Sequence, residues 1–186
     1  MQWTIPGTVL TGQRDQPEAM EETLRGFFLA GGMVRSQVAA VTGLEPYTVQ
    51  NWVKRGFLSS PQAKRYTLSQ LCRILIINML KSALPMEKIC GLLSYINGQL
   101  DDESDDWIDD AELYFAFLRV AARCDGLDGE DVKACIRESL IHYREPVPGA
   151  KQRVEQVLEI MLTAWASSQL QRQAEKQLAA LTQKGD

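Results

Sequence analysis

The segment SQVAAVTGLEPYTVQNWVKRGFL, beginning at Ser36, constrains the fold more than any other part of the chain. Its spacing predicts a short helix from Ser36 to Gly43, a tight turn, and a second helix opened by Pro46 and stopped at Gly56. Helix, glycine-containing turn, helix is the spacing of a helix-turn-helix, whose second helix is built to lie in the major groove of DNA. The continuation SSPQAKRYTLSQLCRIL puts Lys64, Arg65 and Tyr66 in a loop before another helix. Thr67 and Gln70 have the spacing of a capping box at the start of that helix.

The charge is divided in a way that fits this segment. The net charge is −4, but residues 1 to 100 sum to +4 and residues 101 to 186 to −8. From Arg35 to Arg73 there are six cations (Arg35, Lys54, Arg55, Lys64, Arg65, Arg73) and one anion, Glu45. A local basic patch, rather than the charge of the whole chain, is what meets phosphates. The asymmetry predicts a basic binding module joined to an acidic module with a different task.

Before the motif, Pro6, Gly7 and Gly12 oppose regular structure, so residues 1 to 16 read as an extended arm. Pro17 suits a first helical position, and Met20, Leu24, Phe27 and Phe28 predict a helix over 19 to 30 that ends at Gly31-Gly32. After the motif, Leu71, Ile74, Leu75 and Met79 form a helical stripe. Pro85 interrupts it, and a further helix through Ile89, Leu92, Leu93 and Ile96 ends near Asn97-Gly98. Eight acids in the twelve residues from Asp101 to Glu112 mark a module boundary and read as a solvated linker leading into a helix start.

Trp107, Ala111, Tyr114, Leu118 and Ala121 then predict an amphipathic helix to about Cys124. A turn at 125 to 129 precedes a shorter helix carrying Val132, Ile136, Leu140 and Tyr143. From Ala150 to Thr182 no Pro or Gly occurs, which predicts one long helix of roughly 45–50 Å. In it Val154, Leu158, Met161 and Trp165 have coiled-coil spacing, and Leu170, Ala174, Leu178 and Leu181 read as its continuation. The predicted class is all-α, with at most a two-stranded wing near residues 57 to 66. Three parts follow: an arm and helix over 1–32, a winged helix-turn-helix over 33–100, and an acidic helical module over 101–186.

VAAVTGLEPYTVQNWVKRGFL, then KRYTLSQLCRI, then LPMEKICGLL, resemble in order and spacing the DNA-binding domain of the MerR family of regulators. More narrowly, NWVKRGFLSSP and the following KRYT resemble an uncharacterised bacterial family, a domain of unknown function whose members are predicted to be MerR-like. The likeness covers about residues 33 to 97. It implies a winged helix-turn-helix that binds double-stranded DNA as a transcriptional regulator. It also implies that Lys54 is the basic position near the end of the recognition helix and that Lys64, Arg65 and Tyr66 are a wing signature flanking the DNA backbone. Val49 and Trp52 match buried positions. The chain departs from the MerR pattern at Gln50, where an arginine is frequent, and at Asn51, where an aromatic is frequent.

The residues themselves place Tyr47, Thr48, Gln50, Asn51, Lys54 and Arg55 on the polar face of the second helix, with Gln50 and Asn51 as adenine readers. No phosphate-binding glycine loop, nucleophile elbow or His-Glu-x-x-His occurs, so no catalytic residue and no cofactor is expected. DDESDDWIDDAE lacks the glycine of an EF-hand loop. Cys72 and Cys90 read as small core residues, Cys124 and Cys135 as two thiols short of a metal site, and His142, the single histidine, as structural or exposed. Tyr114, Phe115, Phe117, Trp107 and Trp165 read as plain core ahead of a ligand pocket. No apolar run approaches the roughly 20 residues of a membrane helix, and no secretory signal opens the sequence. With four scattered cysteines, these features predict a cytoplasmic protein.

The expected function is a dimeric DNA-binding regulator whose acidic half dimerises or answers an effector. The alternative is an interaction adaptor that keeps the helix-turn-helix shape without reading DNA.

Overall fold

The computed structural model describes residues 2–98, 100, 106–124 and 130–182. Among these are eight helices and two small antiparallel sheets. The acids at 101 to 105 and the turn at 125 to 129 lie outside the described residues.

The N-terminal stretch is not the extended arm the glycines and prolines suggested. Strands β1 (Gln2–Thr4) and β2 (Thr11–Gln13) form a hairpin whose turn is driven into the body. Gly7, at φ +77°, presses on α4 (Leu68–Leu80) so closely that a Cβ would lie 2.4 Å from the Leu75 carbonyl oxygen. Asn78 Nδ2 donates to the carbonyls of Gly7, at 2.8 Å, and Thr42, at 3.0 Å. Tyr114 Oη donates to the Pro6 carbonyl at 2.7 Å. These bonds satisfy turn carbonyls that the fold removes from water.

Helix α1 (Pro17–Gly26) starts at Pro17 as predicted but ends four residues short of Ala30, and a turn covers the rest. Helices α2 (Arg35–Thr42) and α3 (Pro46–Lys54) are the predicted pair. Gly43 ends α2 in the left-handed conformation, φ +69°, where its N–H still bonds the Ala39 carbonyl. A glycine takes that conformation without steric cost, which explains the sharp turn.

The expected wing over residues 57 to 66 does not form as a hairpin of its own. Strand β4 (Arg65–Tyr66) pairs with β3 (Met33–Val34), which lies upstream of α2, and only an isolated bridge joins Gln62 to Arg65. The sheet therefore clamps both ends of the helix-turn-helix.

Helix α4 begins with the predicted capping box: Thr67 Oγ1 accepts from Gln70 N–H at 3.1 Å, and Gln70 Oε1 accepts from Thr67 N–H at 2.9 Å. It is buried almost all round, from Leu71 through Leu80, as befits the central helix of the core. Against it pack α5 (Met86–Asn97), α6 (Asp110–Arg123) and α8 (Ala150–Thr182), and α7 (Glu130–Ser139) packs on α6 and α8. A single apolar cluster runs from Ile5 to Ala164, so the stretches on either side of position 101 share one core. Tyr114, Phe115 and Phe117 are fully enclosed in it, and Trp165 stands edge-on to Trp3 and Phe117 at 6.1 and 5.9 Å.

Helix α8 has the predicted length but two separate apolar faces. Val154, Val157, Leu158 and Met161 are buried against the chain's own core, so the coiled-coil spacing of Val154, Leu158 and Met161 here serves packing on the preceding helices of the same chain. Leu170 follows Met161 by nine residues, about half a turn round the axis at roughly 100° per residue. Leu170 and Leu181, at 64% and 72% exposure, therefore lie on the opposite face, and Leu178, at 63%, lies in line with Ile160 on its flank, rather than continuing the buried stripe.

Candidate nucleic-acid interface

Val49 and Trp52 anchor α3 by pointing inward, at 0% and 7% exposure. A helix held from that side must present the remaining positions outward. Tyr47, Gln50, Asn51 and Lys54 are exposed and follow one another at helical spacing, while Thr48 is half-buried in the first turn. The four exposed residues form the outer face of a short, rigidly seated helix.

That face borders an open groove of about 740 Å³ between the start of α2, α3 and the loop before β4. Its walls are Val34, Pro46, Val53, Pro61 and Tyr66, with Arg35, Ser36, Gln50, Lys54 and Lys64 as the polar members. Among the described residues three cations and no carboxylate line it. Across the groove Arg35 Nη1 donates to Gln50 Oε1 at 3.1 Å. Lys64 reaches the groove from an unusual backbone: Ala63 and Lys64 are both left-handed, at φ +48° and +61°. Residues with a Cβ avoid that region, at a cost of about 1–2 kcal/mol each, so the surrounding pairing must hold them there. The neighbouring bridge and the β3–β4 pairing do so.

Several predicted contacts sit elsewhere. Tyr66 is 3% exposed and belongs to the core cluster, so it floors the groove rather than standing out from it. Burial also pushes its phenol pKa up, against a smaller opposing effect of Arg35. Arg55 is exposed, but it pairs with Glu87 of α5 at 3.2 Å and stacks over the Phe57 ring at 4.5 Å. Its charge is thus matched within the chain. Arg65 is exposed and ties its strand to the preceding turn, with Nη1 donating to the Gly32 carbonyl at 2.7 Å. Arg73, one of the six cations counted in sequence, is buried and lies outside the basic surface.

Arg35 is the residue that reading α3 by itself overlooks. It opens the other helix, and only the crossing of α2 and α3 brings it to Gln50. Its place in the basic run between positions 35 and 73 was the available signal.

A larger cleft, about 970 Å³, lies between α1, α6 and α7. It carries both signs of charge, and these are largely paired: Arg119 with Glu21 at 2.8 Å and Arg123 with Glu138 at 2.8 Å. Such a surface lacks the single-sign field that draws a polyanion. Cys90, Cys124 and Cys135 are half-buried and Cys72 is fully buried, so Cys90 is less enclosed than its helical stripe suggested. Among the described residues no helix is long and apolar enough to cross a membrane.

No curated protein and no solved structure matches the chain. Residues 33–117, from β3 into α6, match a family described as a domain of unknown function, DUF1836.

Proposed function

We propose that the chain is a DNA-binding regulator of the MerR-like helix-turn-helix type, with α3 entering the major groove and Lys54 and Lys64 meeting phosphates. The observation that carries this reading is the continuity of α3's exposed polar face with a groove that, among the described residues, bears three cations and no carboxylate. Lys54 and Lys64 make no ion pair among the described residues, which leaves both charges available to phosphate oxygens. Phosphate contacts position a protein on DNA, and side chains on the inserted helix then read base edges.

Useful affinity from one short helix normally requires two half-sites, so the working form is a two-fold dimer. The outer face of α8 suits a second copy of the chain. Ile160, Leu170, Leu178 and Leu181 are exposed on it, bordered by Ala166, Gln171, Gln173 and Gln177 and by the carboxylates Glu159 and Glu175.

The test is titration of a random-sequence duplex pool with the intact protein at two salt concentrations, followed by sequencing of the bound fraction. Affinity that falls steeply with salt, together with an enriched palindrome, is the expected outcome. A folded protein that binds no duplex at low salt would refute the reading and favour the adaptor alternative, which the apolar walls of the groove, Val34, Val53 and Pro61, would serve.

A further inference from the structure

A free glutamine on a recognition helix reads adenine because one amide edge offers an acceptor and a donor together: Oε1 takes the N6 proton and Nε2 gives one to N7. Gln50 is not free. Its Oε1 accepts from Arg35 Nη1 at 3.1 Å, and the bond fixes the amide's orientation, because the flipped amide would set N–H against N–H.

An adenine amino group donating to the same oxygen would have to come alongside a guanidinium, so a second donor would meet a full positive charge. Among the described residues no carboxylate lines the groove to draw Arg35 away or to offset that charge. Toward the groove the pair offers Gln50 Nε2–H and the remaining guanidinium N–H groups, which are donors only. In the major groove a guanine edge presents two adjacent acceptors, N7 and O6, and adenine presents one acceptor beside a donor.

We infer that Arg35 and Gln50 act as one unit that reads guanine, with Arg35 a specificity-determining residue supplied from outside the recognition helix. The inference rests on the DNA-binding reading above and goes further by naming the base.

The experiment is selection from a random duplex pool with the wild-type chain, Gln50→Ala and Arg35→Ala. Titration of duplexes that differ only at the position whose preference Gln50→Ala changes then follows. The wild-type chain is expected to favour guanine over adenine there by roughly tenfold, the scale of a good base contact. In Arg35→Ala the freed Oε1 should move the preference to adenine. Salt-dependent binding should persist through Lys54 and Lys64, and a thermal melt shows that the variant is folded.

Wild-type preference for adenine at that position would overturn the guanine assignment, and so would a folded Arg35→Ala that still prefers guanine. In both cases the DNA-binding reading would stand. A folded wild-type chain that binds no duplex would overturn that reading and this inference with it.

Discussion

Arg73 and Asp110 form an ion pair at 3.0 Å with both side chains nearly sealed from water, 8% and 11% exposed. Arg73 Nε also donates to the Phe57 carbonyl, at 3.2 Å, just after α3. Asn97 Nδ2 donates to the other oxygen of Asp110, also at 3.2 Å. One guanidinium thus joins the end of the helix-turn-helix to the start of α6. Burial pushes the Asp110 carboxyl pKa up, and Arg73 offsets this only in part, leaving it above the ordinary 3.8. The charged form of Asp110 is therefore a net cost to the fold even with its partner in place.

Arg73→Ala should destabilise the chain by about 3–5 kcal/mol at neutral pH, because it leaves a carboxylate buried without compensation. Asp110→Asn in turn leaves the Arg73 guanidinium buried without its counter-charge, but it keeps an oxygen that can accept the guanidinium N–H, so its loss should be the smaller of the two. Denaturant midpoints of the two variants decide the matter; equal losses would contradict the asymmetry.

The same pair sets a pH dependence. Since Asp110 titrates higher in the folded than in the unfolded chain, the fold holds its proton longer. The group's contribution is fully present below the unfolded value and is lost as pH rises through the folded one. Relative to Asp110→Asn, the wild-type chain should lose stability as pH climbs above 3.8. Urea melts of both proteins across that window test the sign, and a gap that moves in favour of wild type would refute it.

Cys72 should resist alkylation in the native state. It is fully buried in α4, and burial, aided by Asp109 and Asp110, holds its thiol well above the usual range, so almost no thiolate is available. Cys90, Cys124 and Cys135, only half-buried, should label first. Mass spectrometry after timed iodoacetamide treatment should show the fourth adduct only on unfolding.

Lys64→Gly should separate stability from binding. Glycine removes the left-handed strain at φ +61°, so the melting midpoint should rise, by up to about 1 kcal/mol in stability. Loss of the ammonium should lower the salt dependence of DNA binding by about one unit, as should Lys54→Ala. A variant that gains stability and binds DNA unchanged would take Lys64 out of the interface.

Truncation after Ser168 should give a monomer whose unfolding midpoint is close to that of the intact chain at matched low concentration. Among the described residues Ser168 is the last buried position of α8, where it accepts from Ser82 Oγ at 2.8 Å, and residues 170–181 are exposed. Light scattering measures the first expectation and calorimetry the second. An intact chain that is monomeric at tens of micromolar would remove the α8 dimer.

What the sequence determined by itself is local. Gly43 and Pro46 delimit α2 and α3, Thr67 and Gln70 cap α4, and an unbroken run without Pro or Gly makes α8, because each rule acts between residues a few positions apart on one helix. Tertiary structure decided what depends on distant neighbours. Arg73 and Asp110 each look like a surface charge, and only the packing of α4 on α6 makes them a buried pair across 37 positions. Tyr66 enters the core because its strand pairs with residues 33 and 34, a partner no local pattern names. The two apolar faces of α8 read as one stripe until the core shows where it stops covering the helix. Arg35 and Gln50, fifteen positions apart on two helices, meet only through the angle at which those helices cross. Periodicity reports which residues share a face, whereas burial and pairing depend on what the rest of the chain sets against it.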